Sequence, residues 1–190
     1  MTPEPQRSVV AYPGGIRVRT VWGRSGQAAA VFALSEVGGT TVDLGEMAGP
    51  DPDVLCRAEV RVETPAGPWT VRLASRVGGD PAAFAWDVAG ELVITYGLIA
   101  YAFDARSGDL RWTHRSGSPI VALLGSPRLD HVIVQSEVET FAIAADGVVV
   151  WRVAHSDVVT AAELVGGQLV LTGYEGTSAT LDPVTGRTPR

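Results

Sequence analysis

The feature that most constrains this chain is a repeat of about forty residues in its last 110 positions. Trp112 and Trp151 are 39 residues apart, and the strand-like runs that begin at Leu92, Val132 and Leu169 keep nearly the same period. Residues 91–112, 131–151 and 168–186 align on each other. A period of this length suits one four-stranded antiparallel unit, too small to bury both its faces without a neighbour. The second copy divides most cleanly. Residues 120–124 form one run, 132–135 the next, 140–143 the third and 148–151 the last, each bounded by Gly, Pro or Asp. The runs are β-branched and aromatic, which favours strands. Some are continuously apolar, as inner strands covered on both faces must be. Helical periodicity is missing from residue 82 onward. The expectation is an all-β fold, a small propeller-like array of four-stranded antiparallel blades.

The ends of the repeats carry a recognisable signature. Asp104-Ala-Arg-Ser-Gly-Asp-Leu-Arg-Trp112 resembles the repeat of the pyrroloquinoline-quinone-type (PQQ-like) β-propeller proteins, with Asp, then Ser and Gly108, then Trp. Asp182-Pro-Val-Thr-Gly186 resembles it without the Trp, and Ala145-Asp-Gly-Val-Val-Val-Trp151 with one residue deleted. The resemblance covers roughly residues 82–190. It implies structural roles: Asp104 and Gly108 shape the turn before the outer strand, and Trp112 and Trp151 dock on the neighbouring blade. Quinone-binding members of this family have more blades than this chain can supply and often a vicinal disulfide. Cys56 is the sole cysteine here, so no cofactor is expected. That thiol reads as a small buried hydrophobe rather than a reactive group.

Residues 1–81 fit the repeat poorly and form a diverged N-terminal β region, either a blade or a cap, against three repeats in 82–190. Alternation marks strands at 7–12, 16–22, 28–34, 58–63 and 69–73. Residues 58–73 read as a hairpin across Thr64-Pro-Ala-Gly-Pro68, and 45–53 as a loop. Three repeats plus this region can close a four-bladed ring, with an N-terminal strand at 8–12 completing the last repeat. The rival is an open array capped by an N-terminal sheet. Closure is the favoured expectation, and one compact domain accommodates either.

Composition excludes several function classes. The net charge is −6, which argues against a phosphate backbone as partner. All fifteen basic residues are arginine, and the sequence also lacks asparagine. A GC-rich coding genome explains both, so the arginines are not read as phosphate clamps. Residues 1–7 contain no apolar stretch of the signal-peptide kind, and no apolar run reaches the length that spans a bilayer. The expectation is a cytoplasmic protein with no membrane or nucleic-acid partner.

Topology points to where a site would lie. In a meander, the turns between second and third strands share one end of the molecule with the crossings between blades. Tyr96, His114, Glu137, His155, Asp157, Tyr174 and Glu175 fall on those segments, and loops on a rigid scaffold commonly carry function. His155 with Asp157 is either an acid–base pair or a turn residue with a solvated neighbour. His114 beside Arg115 is either a ligand or a surface cation. Glu137 and Glu139 read as one side of a strand, either paired carboxylates or a solvated face. His131 orders the turn after Asp130. No phosphate loop, nucleophile elbow or metalloprotease motif occurs. Two functions remain: a non-catalytic module that binds a protein or small ligand on the loop end, or a small cofactor-independent enzyme with an acid–base pocket there.

Overall fold

A computed structural model describes residues 4–26, 31, 40–45 and 55–189; all of the expected strand at 28–34 except residue 31, and most of the 45–53 loop, lie outside them. The described chain is all-β and forms four sheets in sequence order. The first contains β1 (Gln6–Tyr12), β2 (Ile16–Gly23), β3 (Thr40–Gly45), β4 (Cys56–Glu63) and β5 (Trp69–Ser75), in the order β1-β2-β4-β5-β3. β4 and β5 make the expected antiparallel hairpin, while β3 runs parallel to β5. Three meanders follow. Blade two is β6 (Ala82–Trp86), β7 (Glu91–Tyr96), β8 (Ile99–Asp104) and β9 (Leu110–Arg115). Blade three is β10 (Ile120–Leu124), β11 (His131–Ser136), β12 (Glu139–Ala144) and β13 (Val149–Ala154). Blade four has β14 (Val159–Val165), β15 (Gln168–Gly173) and β16 (Ser178–Leu181).

The sheets stack face to face, and the strand alternation explains how. Leu92 and Ile94 of β7 pack against the first sheet, while Val93 between them packs against blade three. Val132 and Val134 of β11 pack on blade two, and Ile133 on blade four. An inner strand covered on both faces has no position left for a polar side chain, hence the continuous apolar runs.

Each join has the same construction. Gly108 lies against the Trp69 ring, Gly147 against Trp112 and Gly186 against Trp151. All three glycines have positive φ, +77°, +83° and +69°, in the turn before an outer strand or its equivalent. A side chain there would strain the backbone and strike the indole. Trp69 therefore serves the first sheet as Trp112 and Trp151 serve the next two, although nothing around it resembles the repeat. The turns are held by their aspartates: Asp104 Oδ1 accepts the N–H groups of Arg106 and Ser107, and Asp182 Oδ1 those of Val184 and Thr185.

The Ser107 N–H, then Arg111 at 2.5 Å, lower the Asp104 pKa to about 2. A carboxylate whose pKa falls on folding stabilises the fold above its ordinary value of 3.8 and loses that contribution as pH drops through the folded one. The difference in urea midpoint between the wild type and Asp104→Asn is expected to be constant near neutrality and to shrink between about pH 4 and pH 2.

Among the described residues the sheets join in a row, and the joint that the ring expectation requires is not among them. Hydrophobic clusters join sheet one to blade two, two to three, and three to four, and among the described residues none joins four to one. Nor does the N-terminal strand complete blade four: β1 pairs along its whole length with β2. The outer face of blade four differs from the faces that are joined. Where blades two and three present Val93, Ala100 and Ala102, or Ile133 and Ala142, blade four presents Glu163, Val170, Thr172, Ser178 and Thr180. The face of sheet one away from blade two carries Arg57, Glu59, Arg61 and Arg72, with an ion pair of 3.1 Å from Arg72 to Glu59; Arg57 and Glu59 are buried there, so this face is covered. A polar outer face such as that of blade four is what a terminal unit of a stacked array requires.

Candidate functional site

The loop end is organised by backbone hydrogen bonds that repeat from blade to blade. The turn between second and third strands is Gly97-Leu98 in blade two, Glu137-Val138 in blade three and 174–177 in blade four. Each turn is wired to a crossing segment. Ser116 N–H donates to Leu98 O and Ile120 N–H to Gly97 O; His155 N–H donates to Val138 O and Val159 N–H to Glu137 O. The next step repeats one bond of the pattern, Glu137 N–H to Pro119 O and then Tyr174 N–H to Val158 O. The crossings are thus strapped to the turns, and the surface is preorganised.

Side chains at this end form two clusters. In the first, His114 sits on β9 opposite Ala100, within a strand rather than the loop expected for it. Its ring lies 4.7 Å from that of Phe141, and its Nε2 is 3.1 Å from an Arg152 guanidinium nitrogen. Arg152 lies within β13, which extends to Ala154 because it pairs with all of β12. Its Nε is 3.5 Å from Glu139, whose other oxygen accepts from Ser116 Oγ and Gly117 N–H at 3.3 Å each. Burial, then Arg152, lowers the His114 pKa, and Glu139 opposes the shift.

The second cluster lies between blades three and four. A chain of hydrogen bonds runs inward from His155: its Nε2 is 2.6 Å from Thr140 Oγ1, which donates to the fully buried Gln135. Burial lowers the His155 pKa. Asp157 Oδ2 accepts from Thr177 Oγ1 at 2.9 Å. His155 and Asp157 both line an open cleft of about 220 Å³ with Thr177, Leu171 and Ala179. Each is engaged by a threonine, and they do not hydrogen-bond to each other.

The other candidates scatter. Tyr96 is buried, 2% exposed, in the core between sheet one and blade two; burial raises its hydroxyl pKa. It cannot decorate the loop end because strand β7 is inner along its whole length. Glu137 lies in the turn before β12 rather than on one strand with Glu139. Tyr174 is 78% exposed and Glu175 beside it is also exposed. His131, expected to order the turn after Asp130, reaches blade four instead, with Nε2 donating to Pro183 O at 2.8 Å. Arg152, Thr140 and Thr177 were not legible as partners, because their contacts cross between strands or blades. Among the described residues no group of three His, Cys, Asp or Glu converges as a metal site, and no helix is long and apolar enough to cross a membrane.

A family model described as outer membrane protein assembly factor BamB matches residues 95–189. No curated protein matches the chain significantly. Among solved structures, BamB from Moraxella catarrhalis is similar over 99% of this chain and 66% of its own, with 16% identity and a TM-score of 0.52. The computationally designed Ika8 protein is similar over 96% of this chain and 59% of its own, at 13% identity and a TM-score of 0.54. A fragment of HIRA aligns over 96% of this chain and 51% of its own, at 14% identity and a TM-score of 0.50. The chain therefore spans about half to two thirds of these structures, and likeness at such identity shows the fold alone. The family match covers half of the sequence and falls on the blades whose Asp turns and Gly–Trp joins are described above, so this chain belongs to the BamB-like family of PQQ-type β-propeller proteins.

Proposed function

We propose that this chain is a non-catalytic protein-binding module, and that the loop end of blades three and four is its contact surface. The observation that carries the reading is an apolar ridge on strapped loops. Val138, Val158 and Tyr174 are 42%, 39% and 78% exposed, and Val138 O and Val158 O are tied to neighbouring crossings. Glu137, Asp157 and Glu175 flank them. A preorganised surface loses little entropy on binding, and an exposed tyrosine among aliphatic neighbours is a common hot spot. The flanking carboxylates suit a partner with a basic rim.

Photo-crosslinking in cells tests this reading. A crosslinker at position 174 is expected to give a discrete protein adduct, and one at Val148, exposed at the opposite end, none. Tyr174→Ala in the purified pair is expected to weaken binding about thirtyfold. Equal adducts from both positions, or none from 174, would remove the basis for the reading.

A second reading is favoured by one observation, the shared cleft of His155 and Asp157. With Nε2 donating to Thr140, the imidazole's Nδ1 can act as a base toward a small ligand in the cleft. Turnover abolished by His155→Ala with the fold intact would support it over the binding module.

A further inference from the structure

Blades two and three each have an outer fourth strand, and blade four has three strands among the described residues. Strand β16 pairs there with β15, and no described residue pairs with its other edge. The turn after β16 is nonetheless closed as in blade two. Asp182 N–H donates to Arg187 O and Gly186 N–H to Asp182 O, as Asp104 N–H does to Asp109 O and Gly108 N–H to Asp104 O. In blade two the bond from Asp104 lies on the side where β9 begins. By the two-residue period of a strand, the Thr180 N–H points to the same side as that of Asp182, toward the free edge.

The join beneath that edge is also less complete. Trp112 is 8% exposed beneath blade three, whereas Trp151 beneath blade four is half-buried. In blade three the outer strand carries Arg152, whose guanidinium lies 5.6 Å from the Phe141 ring centre and beside Glu139 and His114. The registers put Ala179 where Phe141 stands, since Phe141 lies opposite Val134 and Ala179 opposite Leu171. Leu171 packs toward blade three, and Ala179 shares its face as a cross-strand partner. The cleft of about 220 Å³ lies against these two residues, so it corresponds to the place that Arg152 fills one blade earlier. Asp157, in its wall, accepts from Thr177 Oγ1 and has no cation partner among the described residues.

We propose that the free edge of β16 takes up an extended segment of a partner protein, antiparallel to β16, with an arginine whose stem fills this cleft and whose guanidinium pairs with Asp157. Backbone bonds to an open edge supply affinity, and a pocket for one side chain supplies selectivity. An arginine suits the walls. Ala154, Val159, Leu171 and Ala179 cover an apolar stem, and Asp157 meets the charge at its end. The net charge of −6 favours a basic segment over an acidic one. The proposal rests on the binding-module reading for the nature of the partner, and it uses none of Val138, Val158 and Tyr174. The two therefore fail separately: crosslinking at position 174 reads the ridge, and a peptide reads the edge.

The probe is a capped peptide copying residues 148–156, the blade-three outer strand with its arginine. Its neutral match has glutamine in place of that arginine. Each is added to the full chain and followed by amide chemical shifts and intermolecular NOEs. Saturable shifts are expected at Asp157, Ser178, Ala179 and Thr180, with NOEs that place the peptide antiparallel to β16. The glutamine peptide is expected to bind about tenfold more weakly. Asp157→Asn is expected to weaken the arginine peptide by about tenfold and to leave the glutamine peptide unchanged. Thr180→Pro removes an N–H on the open side of an edge strand, where proline is tolerated, and is expected to weaken both peptides by about tenfold with the fold intact. No saturable shifts, equal affinity for the two peptides, or binding unchanged by Thr180→Pro would overturn the proposal. Concentration-dependent shifts at β16 without peptide would assign the edge to a second copy of the chain and overturn it as well.

Discussion

Trp112→Ala is expected to destabilise the protein by about 3–5 kcal/mol, the range for deleting a large aromatic side chain from a packed interior. The indole is 8% exposed and belongs to the cluster that joins blades two and three. It packs with Trp86, Val132 and Phe141 in that cluster and forms the surface on which Gly147 rests. No neighbouring strand can move in to fill the space, because β8 and β12 are each held by two partners. Its Nε1–H has no hydrogen-bond partner, so the loss is one of packing, with no donor sacrificed. For a chain of this size the melting temperature should fall by roughly 10 °C. Urea denaturation checks the prediction directly. A loss under about 1 kcal/mol would mean that the join carries little of the fold's stability.

Gly147→Ala is expected to lower stability by about 2–5 kcal/mol from two separate causes. At φ +83° the backbone is in the left-handed region, where a residue with a Cβ is strained by about 1–2 kcal/mol. The added carbon would also stand 2.7 Å from Trp112 Cβ, an overpacking conflict of about 1–3 kcal/mol. The causes separate in a double-mutant cycle. In the Trp112→Ala background Cγ and the rest of the indole are gone, and that part of the clash is relieved. The strain remains, so the coupling should be non-zero and favourable to the double mutant. Additive losses would show that the steric contact with the ring is not what holds this turn.

The two candidate clusters were legible to different degrees. Tyr174, Glu175 and Glu137 were placed correctly at the loop end by counting turns in a meander. Tyr96 was not: position within a repeat identifies which end a residue lies at, and whether the next sheet covers it depends on the stacking. His114 was assigned to a crossing between blades, and the last run of the second copy was ended at 151, before Arg152. They belong to outer strands, where one face is solvated and polar residues are admitted. The partners of His155 come from strand β12, 15 residues earlier, and from Gln135, two strands inward. No local spacing encodes such a contact.

A cleft of about 710 Å³ between sheet one and blade two had no sequence signal at all. Its walls come from the turn after β1, the hairpin turn after β4 and two turns of blade two, segments that meet only when sheet one is stacked on the next. Trp69 shows the same division from the other side. It does the work of Trp112 and Trp151 at the first join, yet it begins a strand in a region that lacks the repeat, so only its contact with Gly108 identifies it.

The sequence by itself determined the all-β class, the forty-residue blade period and the turns closed by Asp and Gly. These depend on alternation, β propensity and backbone conformation, which are properties of a few neighbouring residues. Whether the blades closed was decided by tertiary structure. Closure depends on two faces meeting from opposite ends of the chain. The polarity of Thr172, Ser178 and Thr180 took its meaning only after the strands were paired and these residues were seen to share the face of blade four turned away from blade three.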